Sequence, residues 1–219
     1  MSFDLIDWSQ ISEASLDTLS MLGGALVFTV LFGLPLGVAL FLTGKRQLLA
    51  QPYLYGVVSF ALNILRSVPF IILLIVLIPV TTLLTGTALG VRGVIPPLVV
   101  GTTAFFARLV ETALREVDRG LIEAGQSMGA STWQIVWFTL LPEARLGLIS
   151  AVTVTAIVLV DYTAMSGAIG GGGIGDLAIR YGYQRFQTEV MIVTVLLLIV
   201  LVQVLQTTGN RLVSHFSRK

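Results

Sequence analysis

Residues 19–42 read LSMLGGALVFTVLFGLPLGVALFL, 24 positions without a charged side chain. At ~1.5 Å rise per residue, a helix of that length covers the ~30 Å hydrocarbon thickness of a bilayer. Lipid offers no partner to backbone N–H and C=O groups, so such a run has to bond within itself as a helix. Four more stretches of the same character follow, at about 57–84, 94–114, 146–165 and 190–206. The chain therefore reads as an all-α polytopic membrane protein with five transmembrane helices. Composition agrees. Of 219 residues, 55% are hydrophobic and 11% charged, with a mean hydropathy of +0.93. Soluble domains carry about 25% charged residues, so an ordinary soluble enzyme is excluded. No internal repeat, low-complexity linker or long polar segment divides the chain, so residues 1–219 form a single transmembrane domain.

Charge sorts along the chain. Net charge is only +1, which leaves no basic excess for a nucleic-acid partner. There is no cysteine, hence no disulfide, thiolate metal site or cysteine nucleophile, and His215 is the lone histidine. No Lys or Arg precedes Lys45, while Asp4, Asp7, Glu13 and Asp17 crowd the start. That is the reverse of the basic start of a cleavable signal, so an acidic tail outside the membrane is expected. With the N-terminus outside, nine basic residues fall on the inner side: Lys45, Arg46, Arg108, Arg115, Arg119, Arg145, Arg211, Arg218 and Lys219. Three (Arg92, Arg180, Arg185) fall outside, and Arg66 lies within the second span. The bias predicts an outer N-terminus and a cytoplasmic C-terminus.

The longest inner segment, about 115–145, carries its own pattern. Val117, Leu121, Ala124 and Met128 recur at helical spacing and predict an apolar stripe, which Gly129 ends. Ser131 and Gln134 have the spacing of a capping box and open a second short helix. Trp133, Val136, Trp137 and Leu140 give that helix an apolar face, and Pro142 with Glu143 suits the first turn of the next helix. On periodicity alone, two amphipathic helices lying on the membrane surface would explain the segment equally well, with Trp133 and Trp137 as interfacial anchors.

The residues themselves go further. Leu121-Ile122-Glu123-Ala124-Gly125-Gln126-Ser127-Met128-Gly129-Ala130-Ser131, followed after nine residues by Leu141-Pro142-Glu143-Ala144, resembles the signature loop of ABC importer permeases. That pattern is Glu-Ala-Ala, three residues, Gly, then about nine residues to Leu-Pro. Gly125 replaces the third motif position, which should loosen the helix by under ~1 kcal/mol. Asn63-Ile64-Leu65-Arg66-Ser67-Val68-Pro69-Phe70-Ile71 and Tyr162-Thr163-Ala164-Met165-Ser166-Gly167-Ala168-Ile169-Gly170 look like segments of the methionine-type permeases. The chain is thus similar nearly end to end to the permease subunit of methionine-family ABC importers of the bacterial inner membrane.

The resemblance implies a type I importer permease fold, a permease homodimer, two ATPase subunits that bind ATP and Mg, and an extracytoplasmic substrate-binding protein. It makes 115–145 the coupling loop, with Leu121, Ile122, Glu123, Ala124, Gly125, Met128, Gly129, Ala130, Leu141 and Pro142 meeting the ATPase. Small residues there permit close approach. No cofactor or catalytic residue is expected in this chain, and no GxxxxGK[ST] loop is present.

The remaining candidates lie along the path of a small amino-acid substrate: Arg66, Ser67, Pro69, Asp161, Tyr162 and Met165. A charge inside a span is costly and has to face protein or water. Arg66 either lines the path or anchors the second helix. Asp161 stands where the methionine-type permeases usually have a small residue. It could bind a substrate amino group, pair across the dimer, or meet a basic residue of the second span. Met165, one turn on, is either an outer plug or ordinary packing. Gly170, Gly172 and Gly175 spell GxGxxG, but no strand precedes them, so a tight outer loop with positive φ is expected. Gly33 and Gly37 form a GxxxG pair for close helix contact, and Pro35 suggests a kink. Pro69 and Pro79 imply that the long second span is bent or tilted. Two other classes share some of these features: an ion-coupled secondary transporter using Asp161 and Arg66, and an intramembrane enzyme. The first shows no pseudo-repeat. The second lacks a second membrane Asp or a suitably placed His.

Overall fold

A computed structural model describes residues 7–217; Asp4, Arg218 and Lys219 lie outside the described residues. Every ordered element among them is helical: α1 (Trp8–Thr43), α2 (Pro52–Ser67), α3 (Phe70–Val76), α4 (Ile78–Thr85), α5 (Gly90–Arg115), α6 (Arg119–Ser127), α7 (Thr132–Ile135), α8 (Leu141–Glu143), α9 (Arg145–Ser166), α10 (Gly173–Leu177) and α11 (Thr188–Ser217). Helices α1, α5, α9 and α11 are each long and apolar enough to cross a membrane. Helices α2 and α3 reach that length and apolarity only together, as one broken span or a re-entrant loop. Helices α2 and α3 meet at 102°, because Pro69 cannot supply the next helical N–H and forces Val68 into an extended conformation.

Helices α1 and α5 form the centre. A Cβ on Gly33 would stand 2.7 Å from Phe106 Cδ1, and one on Gly37 2.6 Å from the Ala107 carbonyl oxygen and Val110 Cβ. The GxxxG pair therefore sets how closely α5 lies on α1 within one chain. Beside it, the buried hydroxyls of Thr29 and Thr102 share a hydrogen bond of 2.7 Å. Pro35, expected to kink α1, sits inside an unbroken helix. Helix α1 also begins well before the apolar run, at Trp8, because the Asp7 carboxylate accepts from the Ser9 and Gln10 amides and caps it. From Trp8 on, the acidic tail is helix.

The two ends of the bundle differ. At one, Val38, Phe41 and Leu42 of α1 share a core with Val117, Ile122, Ile135, Val136, Leu140 and Ala144. Arg119 donates to the Arg46 carbonyl and Arg145 to that of Phe216, so the end of α11 lies here too. The basic residues 45, 46, 115, 119 and 145 gather at this end. At the other end, the Ile174 amide donates to Thr18 Oγ1 over 2.9 Å and Gly90 N–H to the Gly170 carbonyl.

Candidate functional site

The segment between α5 and α9 is a folded unit. Asp118 caps α6 by accepting from the Gly120 amide at 2.7 Å. The helix ends in a Schellman motif: Ala130 N–H reaches the Gly125 carbonyl at 3.0 Å and Gly129 N–H that of Gln126 at 2.9 Å. Gly129 has φ 78°, the left-handed turn this closure requires. Ser131 and Gln134 then form the expected capping box, each side chain accepting from the other's amide. A π-helical turn, Val136–Leu140, leads into Leu141–Glu143, where Pro142 occupies the first turn.

The expected stripes are corrected. Val117, Ile122 and Gly125 face inward, whereas Leu121, Ala124 and Met128 lie on the exposed face of α6, Met128 at 82%. The inner face is set by Ile135, whose Cγ1 would lie only 3.3 Å from a Cβ on Gly125. A methyl there would have to push Ile135 aside by a few tenths of an ångström, so Gly125 sits in tight packing. In the following turns Ile135, Val136 and Leu140 are buried, while Trp133, Trp137 and Phe138 are exposed. Of the other motif residues, Glu123 and Pro142 are exposed, and Ala130 and Leu141 are half-buried against the core below.

A second constellation lies between α2 and α5. Glu111, only 4% exposed, accepts from Arg108 Nη1 at 2.8 Å, Arg115 Nη2 at 2.7 Å and the Tyr55 hydroxyl at 3.1 Å. Arg108 also donates to the Ser59 carbonyl, the Ser59 hydroxyl and Asn63 Oδ1. These groups border an open cavity of about 630 Å³ that reaches Arg66 and Phe105. A smaller cavity of about 140 Å³ adjoins it, walled by Phe70, Leu73, Gly101, Phe105 and Tyr162, with Arg66 shared by both. Phe70 and Tyr162 stack with centroids 4.1 Å apart, and the Arg66 guanidinium lies 5.8 Å from the Phe105 ring centre.

Of the path candidates, the structure brings Arg66 and Tyr162 to one cavity and places Pro69 at the helix break beside it. The Ser67 hydroxyl turns back to the Asn63 carbonyl at 2.8 Å. Asp161 and Met165 are exposed on α9, and among the described residues Asp161 and Arg66 enter no ion pair. The residues missed from sequence are Tyr55, Phe70, Phe105 and the Arg108–Glu111–Arg115 cluster. The last had a signal: three- and four-residue spacing places all three on one face of a helix.

At the opposite end, Gly170, Gly172 and Gly173 have φ of 84°, 80° and 81°, the tight loop expected from the glycine run. It turns the chain back so that Gly175 lies against the Ala164 backbone. Asp176 accepts from Arg180 Nε at 2.8 Å, a bond that raises the arginine above its ordinary range.

Comparison with known proteins rests on nearly the whole chain. Residues 30–219 match the family model described as the binding-protein-dependent transport system inner membrane component. The chain belongs to that family. The permease is 46% identical, over the full length of both chains, to a probable D-methionine transport system permease protein of Vibrio cholerae. It is 42% identical to a methionine import system permease protein of Bacillus subtilis, over 99% of this chain and 98% of that one. Its fold superposes with a TM-score of 0.95, at 44% identity and 99% coverage of both chains, on a chain of the MetNI methionine ABC transporter in an inward-facing conformation. A chain from an amino acid ABC transporter crystallised with histidines shares the fold at a TM-score of 0.72 and 21% identity.

Proposed function

We propose that the permease is the membrane-spanning subunit of an ATP-driven importer of methionine or a closely related amino acid. It works as a homodimer with two ATPase subunits, which bind ATP and Mg, and with a substrate-binding protein outside. Its N-terminus lies outside and its C-terminus in the cytoplasm, so the basic end of the bundle faces the ATPases. Full-length similarity to methionine permeases supports the substrate class. The observation that carries the mechanism is the two-faced α6. Ile122 and Gly125 fix it to the core that joins α1, α5 and α9, while Leu121, Ala124 and Met128 stand free. A partner that seats on the free face moves the bundle with it, because the inner face is packed and capped at both ends. ATP-driven closure of the ATPases thereby rocks the attached helices and switches the central path between outward and inward access.

The test is reconstitution in lipid vesicles with the ATPase and binding protein, measuring labelled methionine uptake and ATPase co-purification. Met128→Glu places a charge on the free face without disturbing the core. Uptake should fall at least about tenfold, with the ATPase lost from the complex. Unchanged association and uptake in Met128→Glu and Glu123→Arg would overturn the coupling role.

A further inference from the structure

We infer that Arg66 and the aromatic slot beside it form a two-part site for a free α-amino acid with an unbranched apolar side chain, the guanidinium taking the carboxylate. The inference rests on the transport reading above and assigns the residues that read the substrate. Arg66 stands where the two cavities meet, and they differ in width and in the side chains that line them. One is wide, open and polar, bordered by Ser59, Asn63 and Arg108. The other is narrow and walled by Phe70, Phe105 and Tyr162.

The other arginines of the region are committed: Glu111 takes both Arg108 and Arg115. Arg66 enters no ion pair among the described residues and lies over Phe105 instead. A guanidinium held by a ring face keeps its in-plane N–H groups free for two-point capture of a carboxylate. Gly101 lines the slot. A Cβ there would stand 3.3 Å from Leu73 Cδ2, 3.5 Å from Phe70 Cδ2 and 3.7 Å from Tyr162 Cε2. About 140 Å³ accepts a four-atom apolar chain, and ring edges favour a thioether sulfur.

Saturation-transfer NMR on the permease–ATPase complex in lipid nanodiscs, without binding protein, tests this directly with L-methionine, L-methioninamide and L-alanine. L-Methionine should bind at least about tenfold more tightly than its amide, the loss of one charge-assisted pair. Arg66→Gln should abolish that difference and Arg66→Lys restore part of it. Gly101→Ala, which keeps Arg66, should narrow the preference for methionine over alanine about tenfold. Equal binding of methionine and its amide, or an unchanged methionine-to-alanine ratio in Gly101→Ala, overturns the site. Methionine uptake by the wild-type complex, reconstituted with binding protein and ATP, is read in parallel. Its absence defeats the transport reading itself, whereas intact uptake with unselective binding defeats only the site.

Discussion

Along α1, helix α5 meets glycines; along α2 its own arginines and buried glutamate meet Tyr55, Ser59 and Asn63 beside open space. The first seam is dry and interlocked, with Gly33 and Gly37 leaving room for Phe106 and Val110 and a single hydroxyl pair at Thr29–Thr102. The second fully buries only Leu62 of α2, with Val58 and Leu65 packed beside it, and adds hydrogen bonds that converge on Glu111. Close packing is bistable at best and resists sliding. A polar seam beside a cavity can exchange its bonds for water as it opens. The α1–α5 pair is thus the more tightly interlocked of the two seams.

The largest effect is expected where the α1–α5 seam is densest. Gly37→Leu drives atoms into the Ala107 carbonyl and Val110, a clash worth more than about 3 kcal/mol that no side-chain rotation relieves. Loss of monodisperse protein on gel filtration checks it; a well-behaved variant would break the contrast between the seams. Next, Glu111→Ala leaves Arg108 without its buried partner and should cost about 3 kcal/mol, read as a lower midpoint in thermal unfolding. Glu111→Gln should recover part, because it can still accept from Tyr55.

Smaller effects follow at the coupling segment. Gly129→Val places a β-branched residue at φ 78° and should lower stability by about 2 kcal/mol, with weaker ATPase association. Ser131→Ala removes one half of the capping box and should cost about 1 kcal/mol by the same melt. The smallest is Thr29→Val, under about 1 kcal/mol, since Thr102 still donates to the Leu98 carbonyl. A larger loss there would mean that the α1–α5 seam depends on polar contacts too.

Much of this was legible because membrane helices obey one-dimensional rules. Length of apolar run located four spans, and spacing located the Gly33–Gly37 contact, the Ser131–Gln134 box and the end of the first coupling helix at Gly129. What failed was three-dimensional. Pro69 announces a break, but nothing in 57–84 states that the chain turns by 102° there. The stripe from Val117 to Met128 has the right period and the wrong face, because the partner that selects the face, Ile135, lies ten residues beyond Gly125 and is brought back by the turn between α6 and α7. Arg108, Glu111 and Arg115 carry the spacing of an ion-paired ridge. Their meeting with Tyr55, more than fifty residues away, depends on how α2 lies on α5.

The break at Pro69 also has an electrical meaning. The open cavity follows α2 from Tyr55 to Arg66, eleven residues or about 16 Å of helix, roughly half the hydrocarbon thickness. Its 630 Å³ holds about 20 molecules of water at ~30 Å³ each. Water filling such a cavity would carry the local potential to its inner end, so a membrane voltage would fall mainly across the apolar layer beyond the break. A charge passing that layer does the full ~2.3 kcal/mol of work per 100 mV within a fraction of the usual distance. A zwitterion carries no net charge and escapes that cost, whereas a stray ion does not.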